Sequence, residues 1–289
     1  MISKLKRSVL AMPGSNARAL EKGKSLPADV LMFELEDGVA ETAKQMAREQ
    51  VAAAVNGGGY GARQIVVRVN ARGSEWYKAD VAAIASTGPD AIVIPKVNSR
   101  DEVLKAAADI VAAGAPLKTR LWAMIETPRA IFDIEKIASA ADDPASRLEV
   151  LVLGPNDIAK STRARLTPGR PALTAWLAAG VLAARVHAIE IIDGIYNDFN
   201  DVDGLRREAE QGRDMGFDGK MLIHPNQIGP VNEIFAPSAE EVDFARRIIA
   251  IFDEPENADK GVVQLDGQMV ERLHLDIARR VLALVETAN

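Results

Sequence analysis

The sequence predicts an α/β fold, a (β/α)8 TIM barrel with a C-terminal hairpin-helix lid, and three observations carry that expectation. Short runs rich in Val, Ile and Leu recur about eight times, each paired with a helical pattern. The runs are continuously apolar rather than alternating, as expected of strands buried on both faces. The length of 289 residues suits a barrel of about 250 residues with a short extension. A doubly wound open sheet is the alternative, but no Gly-x-Gly-x-x-Gly fingerprint follows the first strand.

In chain order, Ser8–Pro13 is the first strand and Asn16–Ser25 a helix. Val30–Glu36 follows as a strand, then the Ala-rich helix Thr42–Ala54, stopped by Gly57-Gly58-Gly59. Ile65–Val69 and the helix Lys78–Ser86 form the third unit; Ala91–Pro95 and Arg100–Ala113 form the fourth. Leu121–Ile125 and Val150–Leu153 are strands five and six. The helix Leu173–Val186 precedes strand seven, Ala188–Ile192, and the helix Gly204–Met215 precedes strand eight, Met221–His224. Ala239–Phe252 reads as the final barrel helix, giving a catalytic domain over 1–252. The remainder, 253–289, is an acidic linker, a hairpin over Val262–Val270 turning at Asp266-Gly267, and a last helix Arg272–Glu286.

Composition excludes several classes. Without cysteine there is no disulfide framework, thiolate nucleophile or Cys-ligated metal. A net charge of −6 argues against nucleic acid as a partner. No apolar run has the length of a membrane span, and the Ser8–Met12 run is short for a signal peptide, so a cytoplasmic protein is expected. Charge is uneven, however: residues 1–24 hold Lys4, Lys6, Arg7, Arg18, Lys22 and Lys24 against Glu21 alone. These are either solvated surface charges or a receiver for a phosphorylated ligand.

Polar residues concentrate at the ends of the strands, where ligands gather in such folds. Glu34, Glu36 and Asp37 follow strand two; Arg68 and Asn70 end strand three; Lys96 follows strand four. Glu126 closes strand five, Asp157 follows strand six, Asp193 and Asp198 follow seven, and His224 ends eight. Two carboxylates, Glu126 and Asp157, on neighbouring strand ends suit a hard divalent ion such as Mg²⁺. The competing reading is helix capping, with Thr127-Pro128 as N-cap and first helical residue and Asp157 capping the helix after it. Arg68 within a Val-rich strand needs a partner, since an unpaired buried cation is very costly, and it suits an oxyanion. His187 and His274 read as structural, and no nucleophile accompanies His224. Lys96 would serve a Schiff-base aldolase if desolvated, but the carboxylate pair favours a metal-dependent route.

These residues fall into ordered motifs: Arg7-Ser-Val-Leu-Ala-Met-Pro-Gly14, Leu35-Glu-Asp37 with Lys44 and Ala47-Arg48, Val67-Arg-Val-Asn70, Ile94-Pro-Lys96, Ile125-Glu-Thr127 and Gly154-Pro-Asn-Asp157. Gly216-Phe-Asp-Gly-Lys220, Ile223-His-Pro225 and Phe235-Ala-Pro-Ser238 complete the set. Over nearly the whole chain this resembles the citrate lyase beta-subunit-like branch of the HpcH/HpaI aldolase superfamily, which includes malyl-CoA and citramalyl-CoA lyases. The resemblance implies a (β/α)8 barrel assembled as a homotrimer or dimer of trimers. It implies that Glu126 and Asp157 ligate Mg²⁺, that Glu36 and Asp37 act from an outer shell, and that Arg68 contacts the carbonyl of the acyl thioester or of the keto acid. It further implies that Arg7 and its basic neighbours, Lys22 among them, receive coenzyme A as part of the substrate.

The implied reaction cleaves a carbon–carbon bond of a 3-hydroxyacyl-CoA, giving an α-keto acid and an acyl-CoA enolate that must be protonated. In the CoA-lyase members that proton comes from an Asp in a tail motif Gly-x-Met-Ile/Val-Asp of the adjacent subunit. Here the run is Gly267-Gln-Met-Val-Glu271, with Glu in its place. The alternatives are the beta subunit of a citrate lyase acting on a carrier-bound citryl thioester, a weakly active acyl-CoA-binding scaffold, and an aldolase of free 2-keto-3-deoxy acids.

Overall fold

Eight parallel strands close in sequence order into a barrel in the computed structural model, which describes residues 4–257 and 259–288. The strands are β1 Ser8–Pro13, β2 Val30–Glu34, β3 Gln64–Arg68, β4 Ala91–Ile94, β5 Arg120–Ile125, β6 Leu148–Leu153, β7 Glu190–Asp193 and β8 Gly219–Leu222. Helices α1 Ala17–Gly23, α2 Lys44–Gly57, α3 Tyr77–Ile84 and α4 Arg100–Ala112 follow the first four strands. Two short helices, α5 Pro128–Phe132 and α6 Ile134–Ala138, join β5 to β6; the sequence marks their start but not their course. After β6 come α7 Pro155–Thr162 and α8 Thr174–Val186, after β7 α9 Val202–Met215, and after β8 α10 Ile228–Phe235.

Strand residues alternate between the barrel axis and the helix layer, and both faces are buried, which is why the runs are continuously apolar. Val30 and Met32, Ala91 and Val93, Trp122 and Met124, and Val150 and Val152 fill the interior together with Val9, Val66, Ile192 and Met221. Their neighbours Leu31, Phe33, Ile92, Leu121 and Leu151 are equally inaccessible on the other face. At about 25 cal/mol per Å² of apolar area, each such side chain contributes ~1.5–3 kcal/mol.

The amino-terminal end of the barrel is closed by paired charges. Lys6, fully buried, pairs with Glu190 and lies 4.0 Å from Glu149, and Glu149 accepts a 3.1 Å hydrogen bond from Trp122 Nε1. Arg7, just before β1, forks onto Asp29, just before β2, with both guanidinium contacts at 2.9 Å.

By internal packing the described residues divide into two compact units, Lys6–Glu233 and a second made of those from Ile234 onward with Lys4 and Leu5. The second contains α11 Ala239–Asp253, the hairpin β9 Val262–Leu265 and β10 Gln268–Glu271, and α12 Arg272–Ala288. Ala245, Ile248 and Phe252 of α11 pack with Val270, Leu275 and Ala278 of the tail. Ala239–Asp253 therefore packs with the tail. An apolar stripe spaced for a helix face fits either partner, so the pattern alone does not choose. Ser238 and Glu241 form a capping box at the start of α11. The expected hairpin turn is present: Asp266 and Gly267 both have positive φ, 51° and 79°, as a two-residue hairpin loop requires. His274 accepts the Glu271 backbone N–H at Nδ1, a local role at the start of α12.

Among the described residues no helix is long and apolar enough to cross a membrane.

Candidate active site

At the carboxyl ends of the strands the two-residue period decides which side chains meet. Met32, Val66 and Met124 face the axis, so Glu34, Arg68 and Glu126, each two residues on, project toward it above the apolar core. Glu34 and Arg68 are register partners on adjacent strands, and Nε and Nη2 of Arg68 both meet Glu34 Oε2. The remaining branch of the guanidinium, Nη1, lies 3.5 Å from Glu36 Oε2 and 3.3 Å from Met124 Sδ. Burial works against the Arg68 charge, but Glu34, Glu36 and Glu126 outweigh it and raise the pKa. The cation is permanent, as an oxyanion contact requires.

Glu36 is 4% exposed, and its Oε1 pairs with Lys96 Nζ, while Oε2 is buried without a hydrogen-bond partner. Asp37 stands at the rim, 3.4 Å from Lys96 Nζ. Lys96 has a left-handed backbone, φ 54°, which turns its N–H onto Glu126 Oε1 at 2.7 Å. Burial alone would lower the Lys96 pKa; the hydrogen bond to Glu36 and the charges of Glu36, Asp37 and Glu126 raise it instead. A lysine held charged this way is no Schiff-base nucleophile.

Glu126 is 1% exposed. Burial, then the charges of Glu36 and Asp157, push its pKa up to about 7, against the pull of Arg68 and the Lys96 N–H. Capping does not explain either acid. Thr127 caps α5, accepting the Ala130 N–H at 3.0 Å, and leaves Glu126 free of that role. Asp157 lies within the first turn of α7, whose N-cap is Gly154 with no side-chain cap bond. A Cβ on Gly154 would sit 2.4 Å from Glu126 Cβ and 2.7 Å from its Oε2, so glycine makes the space that Glu126 occupies.

Glu126 and Asp157 in a cluster of like charges, with a Glu36 oxygen buried and making no hydrogen bond, fit a hard cation. Among the described residues no three His, Cys, Asp or Glu side chains converge into a ready-made cage. Mg²⁺ is commonly bound through one or two carboxylates, its other positions left to water and substrate.

The family model described as HpcH/HpaI aldolase/citrate lyase matches residues 7–225. The chain belongs to this family. It is an enzyme of the aldolase/citrate lyase class, and its barrel is the family's fold. A (3S)-malyl-CoA thioesterase of Cereibacter sphaeroides is 46% identical over 280 residues, covering 97% of this chain and 94% of that one. Citrate lyase subunit beta of Escherichia coli K12 is 36% identical over 292 residues, covering 99% and 95%. The crystal structure of protein CitE from Mycobacterium tuberculosis, in complex with magnesium, acetoacetate and coenzyme A, superposes with TM-score 0.80 at 28% identity, covering 99% of this chain and all of that one.

Of the residues the family resemblance singled out, Glu36, Asp37, Arg68, Glu126 and Asp157 come together at one mouth of the barrel. Arg7 and Lys22 do not join them. Arg7 is at the amino-terminal end, locked to Asp29, and Lys22 is exposed in the last turn of α1, after that helix has run back from the mouth. Local charge counting could not see these partners: Lys6 is taken by Glu190, Arg7 by Asp29 and Lys24 by Glu21. Glu271 ends β10 in the second unit.

Other strand-end residues prove structural. Asp193 faces outward from β7 and is fully buried between Lys220 (2.9 Å) and Arg170 (2.8 Å). His224 caps the turn after β8, accepting the Asn226 N–H, and stacks on Phe199 at 4.8 Å. Glu34, the buried counter-ion of Arg68, is the contributor that strand-end position alone ranked no higher than its neighbours. Its parity with Met32 was the available signal.

Proposed function

We propose that this enzyme cleaves the carbon–carbon bond of a 3-hydroxyacyl-CoA of the malyl-CoA or citramalyl-CoA type, with Mg²⁺ as cofactor and coenzyme A as part of the substrate. The observation that carries the reading is the juxtaposition of Glu126 and Asp157 with a buried, permanently charged Arg68 at the barrel mouth. Glu126 and Asp157 would hold the Mg²⁺. When bound, the ion supplies Lewis acidity for the substrate's 3-hydroxyl and neighbouring carboxylate.

The protein's own groups supply the rest. Arg68, immobilised by Glu34, faces the thioester oxygen and stabilises the negative charge that develops there as the C2–C3 bond breaks and its electron pair moves to C2. Removing one such donor costs on the order of 10²–10³ in kcat. Lys96 pairs with Glu36 and Asp37 and holds both carboxylates in place beside Arg68. A proton must reach C2 to convert the enolate into the acyl-CoA, and we assign that acid to Glu271 of an adjacent copy of the chain. The 3-hydroxyl gives its proton to a carboxylate at the mouth, Glu36 or Asp37, as its oxygen becomes the new carbonyl, and that fragment leaves as the α-keto acid. The reading carries with it a cytoplasmic homotrimer or dimer of trimers.

A second reading is favoured by one observation, the 46% identity to a protein named (3S)-malyl-CoA thioesterase. The same Arg68 would then assist attack of water on the thioester carbonyl, releasing coenzyme A and the hydroxy acid. The replacement of the lyase acid by Glu271 accords with it. Incubating the purified protein with malyl-CoA and citramalyl-CoA, with and without Mg²⁺, separates the two. Acetyl-CoA with glyoxylate or pyruvate is the lyase outcome. Free thiol with malate or citramalate is the thioesterase outcome. If both esters stay intact with Mg²⁺ present, neither reading stands.

A further inference from the structure

Behind the site, and outside the set just described, lies a buried polar cluster on β3, α2 and α3. Lys44, in the first turn of α2, is 6% exposed. Its ammonium spends all three donors on neutral acceptors, the carbonyls of Leu35 and Glu36 and the side-chain oxygen of Asn70, each at 2.7 Å. Asn70 is held in turn by Asp80, which accepts its backbone N–H at 2.9 Å and its amide at 2.6 Å. Asp80 also takes Arg48 Nε at 2.9 Å, and the Lys44 ammonium lies over the Trp76 ring at 5.2 Å.

Two successive carbonyls gripped by one buried cation fix the peptide planes that aim the Glu36 side chain. The loop has a second tie on its other side, the 2.6 Å bond from the Glu36 N–H to Glu34. A buried cation satisfied only by neutral acceptors is an expensive way to build a core, since burial disfavours its charge and an apolar side chain would pack there without that cost. We propose that Lys44 is a positioning residue: it orders the Leu35–Asp37 loop so that Glu36 meets Lys96 through one oxygen and Arg68 through the other. The link from that loop to metal affinity rests on the Mg²⁺ reading above.

The test uses the full-length protein and the variants Lys44→Met and Lys44→Gln, the second keeping a donor should the first fail to fold. Amide hydrogen exchange of residues 35–39 is measured without metal, and Mg²⁺ affinity by calorimetry without substrate. The expected result is exchange at least tenfold faster in 35–39 with the barrel strands unchanged. Mg²⁺ binding should weaken by about 10-fold, the lower end of the effect of supporting residues around metal sites. In combination with Glu36→Gln, Lys44→Met should add no further loss of affinity. Unchanged exchange in both variants overturns the proposal. So does faster exchange with undiminished Mg²⁺ affinity, or full additivity with Glu36→Gln. Should the unsubstituted protein bind no Mg²⁺, the metal reading falls by itself, and the exchange comparison still decides whether Lys44 orders the loop.

Discussion

The two ends of the barrel use the same residue types to opposite ends. At the amino-terminal end Lys6 and Arg7 each close on a carboxylate, and Glu149 is occupied by Trp122. At the carboxyl-terminal end five acids, Glu34, Glu36, Asp37, Glu126 and Asp157, share two cations, Arg68 and Lys96, and one buried oxygen of Glu36 makes no hydrogen bond. One end pairs each of its cations and serves as a plug. The other keeps more carboxylates than cations, a strain that burial and the charges of Glu36 and Asp157 register in the raised pKa of Glu126.

The largest break in that comparison should come from Glu126→Gln. We expect Mg²⁺-dependent turnover to fall by at least 10³-fold, while calorimetric Tm holds or rises, because a repelling charge has been removed from the cluster. A marked fall in Tm would mean the surplus is not strain. Arg68→Met should lower kcat by about 10²–10³. It should also cost ~3–5 kcal/mol of stability, since Glu34 is left as an unpaired buried charge. Denaturant unfolding read beside initial rates separates the two effects.

Asp193 sharpens the comparison, because it too lies at a carboxyl strand end but faces outward, where Lys220 and Arg170 neutralise it. Asp193→Asn should destabilise the fold by ~3–5 kcal/mol through the stranded cations. Its pKa is set low: burial raises it, but Lys220 and Arg170 prevail. The stabilisation is therefore complete above the ordinary carboxylate range of about 4 and is lost only as pH falls through the depressed folded value. Unfolding free energy followed down the acid limb should show this step in the unsubstituted protein and not in Asp193→Asn.

The smallest expected effect is at the plug. Arg7→Met should lower stability by ~1–3 kcal/mol, the scale of charge-assisted hydrogen bonds, and leave KM for the CoA ester unchanged. A tenfold rise in KM at constant Tm would return Arg7 to a binding role.

Much of this was legible before the structure. Continuous apolar runs marked all eight strands, and their abrupt ends at charged residues marked Arg68, Glu126 and Asp157. The Asp266-Gly267 turn was legible because few residues tolerate its backbone. What stayed hidden was pairing. Whether Arg7 or Lys6 is free depends on Asp29 and Glu190, one brought across the barrel wall and the other from 184 residues along the chain. Asp80 looked like an ordinary charge in the first turn of α3, yet it is 1% exposed and anchors Asn70. The grouping of Ala239–Asp253 with the tail was hidden for a related reason: an apolar face shows that it will be covered, and not by what.

Gly154 gives this architecture an unexpected point of brittleness. Saturation mutagenesis around the mouth would tolerate much at Asn156, which is partly exposed, yet a single added methyl at Gly154 collides with Glu126. A position of narrow tolerance beside the candidate metal ligands thus carries no reactive group at all. Directed evolution toward new acyl groups would do best to leave 154 untouched along with Glu126 and Asp157.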